Sequence, residues 1–159
     1  MTAPTQGSSS DADVGSPRHY SIGPVTVSAD AAEARTFAKA TAGQNDIADE
    51  LPFTFPLRWL AMPAIRAVIT QLVTRNGEAA FLPLHESQTF DYAAVLRPNI
   101  PYRMIVDIHR EPENPQIVLH AEIGPDETRI HLRMDMVLRL VPVDAATASA
   151  ASPARQAGL

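Results

Sequence analysis

The chain has 159 residues, of which 45% are hydrophobic and 19% charged, so it holds enough apolar material for one folded domain and too much for a globally disordered chain. The formal net charge is −5 and Lys39 is the only lysine, which speaks against the basic footprint of a nucleic-acid-binding protein. Cysteine is absent, which excludes disulfides, cysteine nucleophiles, thiolate zinc sites and iron–sulfur clusters.

Residues 1–17 are small and polar without an apolar period, and a disordered lead is expected there. No basic start precedes an apolar run, so the lead does not read as a secretory signal. Residues 144–159 are alanine- and serine-rich with no apolar face, and a disordered tail is expected. The folded domain is then 18–143. No stretch approaches the roughly 20 apolar residues that span a bilayer, and a cytoplasmic protein is expected. Arginine preferred over lysine, together with the alanine-rich ends, suggests a GC-rich bacterial genome.

Gly23 to Val27 predicts a short first strand. Asp30 and Glu33 form a helix-start signal, and the helix should run from Ala31 to about Ala40 with Ala34 and Phe37 on one face. Gly43 is placed to stop it. Residues 44–58 carry two prolines and no clean period, which predicts loop. Pro63 suits the first turn of a second helix. Ile65, Val68, Ile69, Leu72 and Val73 then form its apolar stripe, and Asn76-Gly77 ends it.

Beyond this point the apolar period changes from 3.6 to 2. Alternation runs over 89–96, 104–109, 117–123 and 129–140. It predicts strands with one buried face, joined by turn-rich connections into antiparallel hairpins. Facing apolar residues to apolar residues pairs Ile108 with Leu119 and Val106 with Ala121. The next hairpin should pair Ala121 with Ile130 and Leu119 with Leu132. That register sets Glu122 opposite Arg129 and aligns Asp107, His120 and His131 on the polar face. Two imidazoles and a carboxylate can hold a metal, but such histidines are more often solvated, so no metal and no cofactor are expected. An apolar helix followed by a sheet with one greasy face packs most simply as α+β, the antiparallel sheet wrapped around a long central helix.

That element order resembles the hot-dog fold, and local motifs sharpen the likeness. Residues 25–46 resemble the opening of MaoC-like dehydratases and (R)-specific enoyl-CoA hydratases. Pro52 to Pro56, P-F-T-F-P, is similar to the segment before the central helix in their amino-terminal dehydratase-type domains. Leu84 to Tyr92, LHESQTFDY, is similar to their L-H-G-E-Q-x-F-x-Y strand, and Arg97-Pro98 to the R-P after it. The resemblance spans about residues 20–142.

It implies reversible addition of water to a trans-2-enoyl thioester, carried on coenzyme A or an acyl carrier protein. The family's acid–base pair lies in a pattern like A-T-G-D-x-N-P-x-H. Laid on residues 40–48, the pattern keeps its Asn at Asn45, while the Asp falls on Gly43 and the His on Ala48. Neither side chain can move a proton, and general acid–base catalysis is worth about 10²–10⁴-fold. Asp46 or His85 could substitute. The plainer readings are a turn aspartate bonding its own backbone and a structural strand histidine. For substrate binding, Arg58 and Arg103 could meet carrier phosphates, and Trp59 and Met62 could line an acyl tunnel; surface arginines with no such specific role and ordinary core packing are the competing readings. The leading expectation is a degenerate subunit of a 3-hydroxyacyl-thioester dehydratase or enoyl-CoA hydratase, dimerised with itself or with a catalytic hot-dog partner. The alternatives are an active hydratase, dehydratase or thioesterase with relocated groups, and a non-enzymatic binding module.

Overall fold

The structure is a computed structural model, and it describes residues 18–42, 49–75, 78–110 and 113–143. The expected lead and tail lie outside these residues. Five strands form one antiparallel sheet: β1 (Arg18–Val27), β4 (Phe81–Tyr92), β5 (Tyr102–Arg110), β6 (Gln116–Gly124) and β7 (Leu132–Pro142), in the order β1-β5-β6-β7-β4. A minor ladder joins β2 (Thr74–Arg75) to β3 (Glu78–Ala79). The helices are α1 (Ala31–Ala42) and α2 (Pro63–Val73), with a 3₁₀ segment over Phe55–Ala61. Alternate strand residues, among them Met104, Val106, Ile108, Ile117, Leu119, Ala121, Leu132 and Met134, face inward. They form one core with Ile65 and Leu72 of α2, Phe55 and Trp59 of the 3₁₀ segment, and Ala34 of α1.

Local chemistry explains most elements. The Asp30 carboxylate accepts the Glu33 N–H at 2.7 Å and caps α1 as expected. Pro63 opens α2, and its stripe is buried at Ile65, Leu72 and Val73 and half-buried at Val68 and Ile69. An Arg110 guanidinium donates to the Leu72 carbonyl and ties β5 to the end of α2.

Four expectations need correction. The first strand starts at Arg18, because a bulge between Ile22 and Val25 interrupts its period. Gly23 sits in that bulge at φ 116°, where an added Cβ would stand 2.6 Å from the Met104 carbonyl oxygen. Residues 55–61 are a 3₁₀ turn rather than loop up to 58, with Pro56 in its first turn. Strand β4 runs from Phe81 to Tyr92, and Ala94 and Leu96 lie beyond it; the bulge between His85 and Ser87 breaks the alternation upstream of Thr89.

The fourth correction concerns register. Hairpin β5–β6 pairs Ile108 with Leu119 and Val106 with Ala121, as expected. Hairpin β6–β7 instead pairs Ala121 with Met134 and Leu119 with Met136, four residues from the expected register. A shift of four keeps every apolar residue on its face, so the period alone cannot choose. The connection decides it: Asp126 accepts the backbone N–H groups of Thr128 and Arg129 at 3.0 Å each and folds Arg129 back onto itself. Glu122 therefore meets Arg133 at 3.0 Å, and Arg129 pairs with Asp126.

Candidate functional site

Gly43, Asn45, Asp46 and Ala48 lie outside the described residues. The other candidates are dispersed. His85 stands exposed at the β4 bulge, on an edge strand. Trp59 is a core residue, packed edge-on to Phe55 at 5.8 Å. Met62 precedes α2, is half-buried, and its carbonyl accepts the Arg66 N–H at 3.1 Å. Arg58 pairs with Glu33 at 3.1 Å and covers the Phe55 ring at 5.4 Å, so it links the 3₁₀ segment to α1. Arg103 faces Glu127 at 3.9 Å.

The outer face of the sheet carries a charged ladder. His19 approaches Asp107 at 3.5 Å, and Asp107 stands opposite His120. His120 Nδ1 lies 2.6 Å from Asp135 Oδ1, and the Thr89 hydroxyl donates to Asp135 at 3.2 Å. Asp135 thus takes the place expected for His131. His131 instead precedes β7, beside the Tyr102 ring at 5.9 Å, with its Nδ1 buried and unpartnered. Among the described residues no group of three or more histidines and carboxylates is placed to hold a metal.

Strand β4 carries a second feature on its inner face. Phe90 and Tyr92 form an aromatic group with Phe53, at 4.8 and 5.1 Å, and Phe53 remains 60% exposed. The Tyr92 hydroxyl donates to the Phe53 carbonyl at 2.7 Å, and burial pushes its pKa up to about 12. Next to them the Gln88 amide is buried with neither nitrogen nor oxygen paired.

A cleft of about 320 Å³ lies between the start of α1 and the 97–100 loop, lined by Arg35, Asp49, Arg97, Asn99 and Ile100 among others. Three hydrogen bonds fix its walls. Asn99 N–H donates to the Ala29 carbonyl at 2.7 Å, Leu51 N–H to the Leu96 carbonyl at 2.7 Å, and Arg97 N–H to the Tyr102 hydroxyl at 2.8 Å. Asn99 holds φ 62°, a left-handed conformation that asparagine tolerates. Sequence reading missed this cleft; Arg97-Pro98 was visible as a motif, but nothing in the sequence brings Arg35 to it.

No protein-family model matches the chain, and no curated protein matches it in sequence. Solved structures do. The C-terminally truncated HadBC (3R)-hydroxyacyl-ACP dehydratase complex of Mycobacterium tuberculosis matches over 80% of this chain and 98% of its own, with TM-score 0.57 and 13% identity. A hot-dog-like protein from Thermanaerovibrio acidaminovorans matches over 86% and 89%, with TM-score 0.51 and 11% identity. A probable thioesterase from Bartonella henselae matches over 78% and 90%, with TM-score 0.50 and 7% identity. At such identities the likeness is one of fold, and the fold is the hot dog: an open five-stranded antiparallel sheet packed on a helix.

Proposed function

We propose that this hot-dog chain is a MaoC-like subunit that binds acyl thioesters and has lost its own acid–base pair, working beside a catalytically complete hot-dog partner in a 3-hydroxyacyl-thioester dehydratase or enoyl-CoA hydratase. The observation that carries this reading is the combination of a hot-dog fold with Gly43 and Ala48 at the positions where the resembling family keeps Asp and His. Burial supports it. Among the described residues no carboxylate is buried, so none of them stands in for the family's Asp in a site held away from water. His85 is exposed, and its mate Asp46 lies outside the described residues.

The sheet supports a partner. Strand β4 is the 12-residue terminal strand of an open sheet, so one side of its backbone is free to pair. Leu82 and Leu84 on β4 and Val141 on β7 are exposed beside that edge. An edge this long with apolar neighbours suits antiparallel pairing with another hot dog. The HadBC neighbour is itself a two-part dehydratase complex, which is a precedent for such an arrangement. Fold alone does not choose between dehydration and thioester hydrolysis.

The test is hydration of crotonyl-CoA and of a longer enoyl-CoA by the purified chain, followed by loss of the enoyl-thioester absorbance. No turnover above an empty-vector control is the expected result. Turnover that scales with protein and survives repurification would overturn the degenerate assignment, and Asp46→Asn and His85→Ala would then locate the active groups.

A further inference from the structure

The arginines of the described residues differ in how they are neutralised. Arg58, Arg103, Arg129, Arg133 and Arg139 each face a carboxylate: Glu33, Glu127, Asp126, Glu122 and Glu86 respectively. The guanidinium groups of Arg35 and Arg97 have no ion-pair or hydrogen-bond partner among the described residues, yet they line one cleft. In a chain of net charge −5, two guanidiniums against the one carboxylate of Asp49 leave this concave surface with an excess of positive charge, a local reversal. Each presents a planar fork of donors that fits a phosphate or carboxylate in two-point contact. Hydrogen bonds tie its 97–100 wall to Ala29 and to the Tyr102 hydroxyl, and Leu51 to Leu96. Its volume is at the lower end for small-molecule sites and admits a phosphate ester, though not a whole nucleotide with its arm.

The cleft also has the right neighbours. Arg35 lies on α1, seven residues before its last residue Ala42, which is about 10 Å along a helix. Asp49, on the same cleft, follows directly after the segment onto which the resembling family's catalytic residues map. We propose that the Arg35–Arg97 cleft is an anion site that holds a phosphate of the pantetheine arm carrying the acyl thioester. The inference rests on the acyl-thioester reading above and adds where the carrier is gripped. It also moves the phosphate contact away from Arg58 and Arg103, whose charges are already met by Glu33 and Glu127. Asp49, the carboxylate on the same cleft, weakens the hold on a bare anion.

The experiment titrates the full chain with butyryl-pantetheine, which lacks phosphate, butyryl-phosphopantetheine and butyryl-CoA, each against wild type, an Arg35→Ala/Arg97→Ala variant and an Arg35→Lys/Arg97→Lys variant. Both phosphate-bearing probes should lose at least about tenfold in affinity in the alanine variant, with the lysine variant between it and wild type. Butyryl-pantetheine should bind all three equally. Added salt should weaken only the phosphate-bearing probes, and Asp49→Asn should tighten inorganic pyrophosphate binding. An arginine-dependent advantage of butyryl-CoA over butyryl-phosphopantetheine identifies coenzyme A as the carrier; equal affinities identify the arm of a carrier protein. If phosphate gives no gain in wild type, or if the alanine variant binds the phosphate-bearing probes unchanged, the anion site is overturned and the thioester reading stands or falls on butyryl-pantetheine. If butyryl-pantetheine fails to bind while pyrophosphate binds in an arginine-dependent way, the thioester reading fails and the anion site survives. Thermal melts of the variants matching wild type show that the loss is not one of folding; neither guanidinium holds a described contact whose removal would unfold the chain.

Discussion

Phe55 tests most directly whether the proline-bearing segment before α2 is a structural anchor. Its side chain is fully buried. The ring meets Phe37 of α1 edge-on at 5.2 Å and Trp59 at 5.8 Å, and the Arg58 guanidinium lies 5.4 Å above it. Replacing Phe55 with Ala removes the buried ring and leaves a cavity, which costs about 3–5 kcal/mol. Phe55→Leu keeps most of the apolar bulk but loses two aromatic pairs, worth about 0.5–1.5 kcal/mol each, so it should cost about 1–3 kcal/mol. A domain of this size has about 5–15 kcal/mol in total, so the alanine variant gives up a large share of its stability. Urea unfolding followed by circular dichroism reads both numbers. At a slope of about 1–3 kcal/mol per molar, the midpoint should fall by roughly 2 M for alanine and by roughly half that for leucine, with the slope unchanged. A loss below about 1 kcal/mol for alanine, or equal losses for the two variants, would refute the placement of Phe55 at a three-ring junction. A cycle with Phe37→Leu should further yield a coupling of about 0.5–1.5 kcal/mol.

The remaining predictions concern the β6–β7 connection and Tyr92. An added Cβ at Gly124 would stand 1.9 Å from the Arg129 carbonyl oxygen, in a loop that Asp126 pins, so Gly124→Ala should cost about 1–3 kcal/mol in the same urea assay. The hydrogen bond from Arg129, then those from Thr128, hold the Asp126 carboxyl well below the usual carboxylate range. Its contribution to stability is therefore complete above the ordinary aspartate range and is lost as pH falls through the lowered value; a carbon-detected NMR titration should find Asp126 the last aspartate to protonate on acidification. Burial raises Tyr92 from 10 to about 12, so its contribution is present below pH 10 and is lost as pH rises from 10 to 12. Ultraviolet difference titration of wild type against Tyr92→Phe should show that the step lost with this hydroxyl lies near 12; a lost step at 10 would contradict the burial.

Much of the fold is legible in the chain itself. The period-2 runs at 104–109 and 117–123 give the strands, and the register expected from them for β5–β6 is the one the structure has. Asp30 and Glu33 mark the start of α1, and Pro63 with its stripe marks α2, because capping and amphipathic spacing are local. The residues on which the proposed loss of an acid–base pair rests are likewise read from the chain: Gly43 and Ala48 carry no titratable group in any fold.

Tertiary structure decided the rest. Pairings that differ by an even number of residues bury the same face, so only the Asp126-pinned loop selects Met134 rather than Ile130 opposite Ala121. That choice leaves His131 ahead of β7, out of the ladder, and puts Asp135 beside His120. Two bulges, at Ile22–Val25 and His85–Ser87, hide strand length from any periodic reading, since an extra residue inverts the alternation. Phe55 looks like a loop residue beside two prolines until α1, α2 and the sheet close over it. The Arg35–Arg97 cleft has no sequence signal at all. It exists because the 97–100 loop is hydrogen-bonded to Ala29, two residues before α1, which brings two arginines 62 positions apart onto one cleft with Asp49.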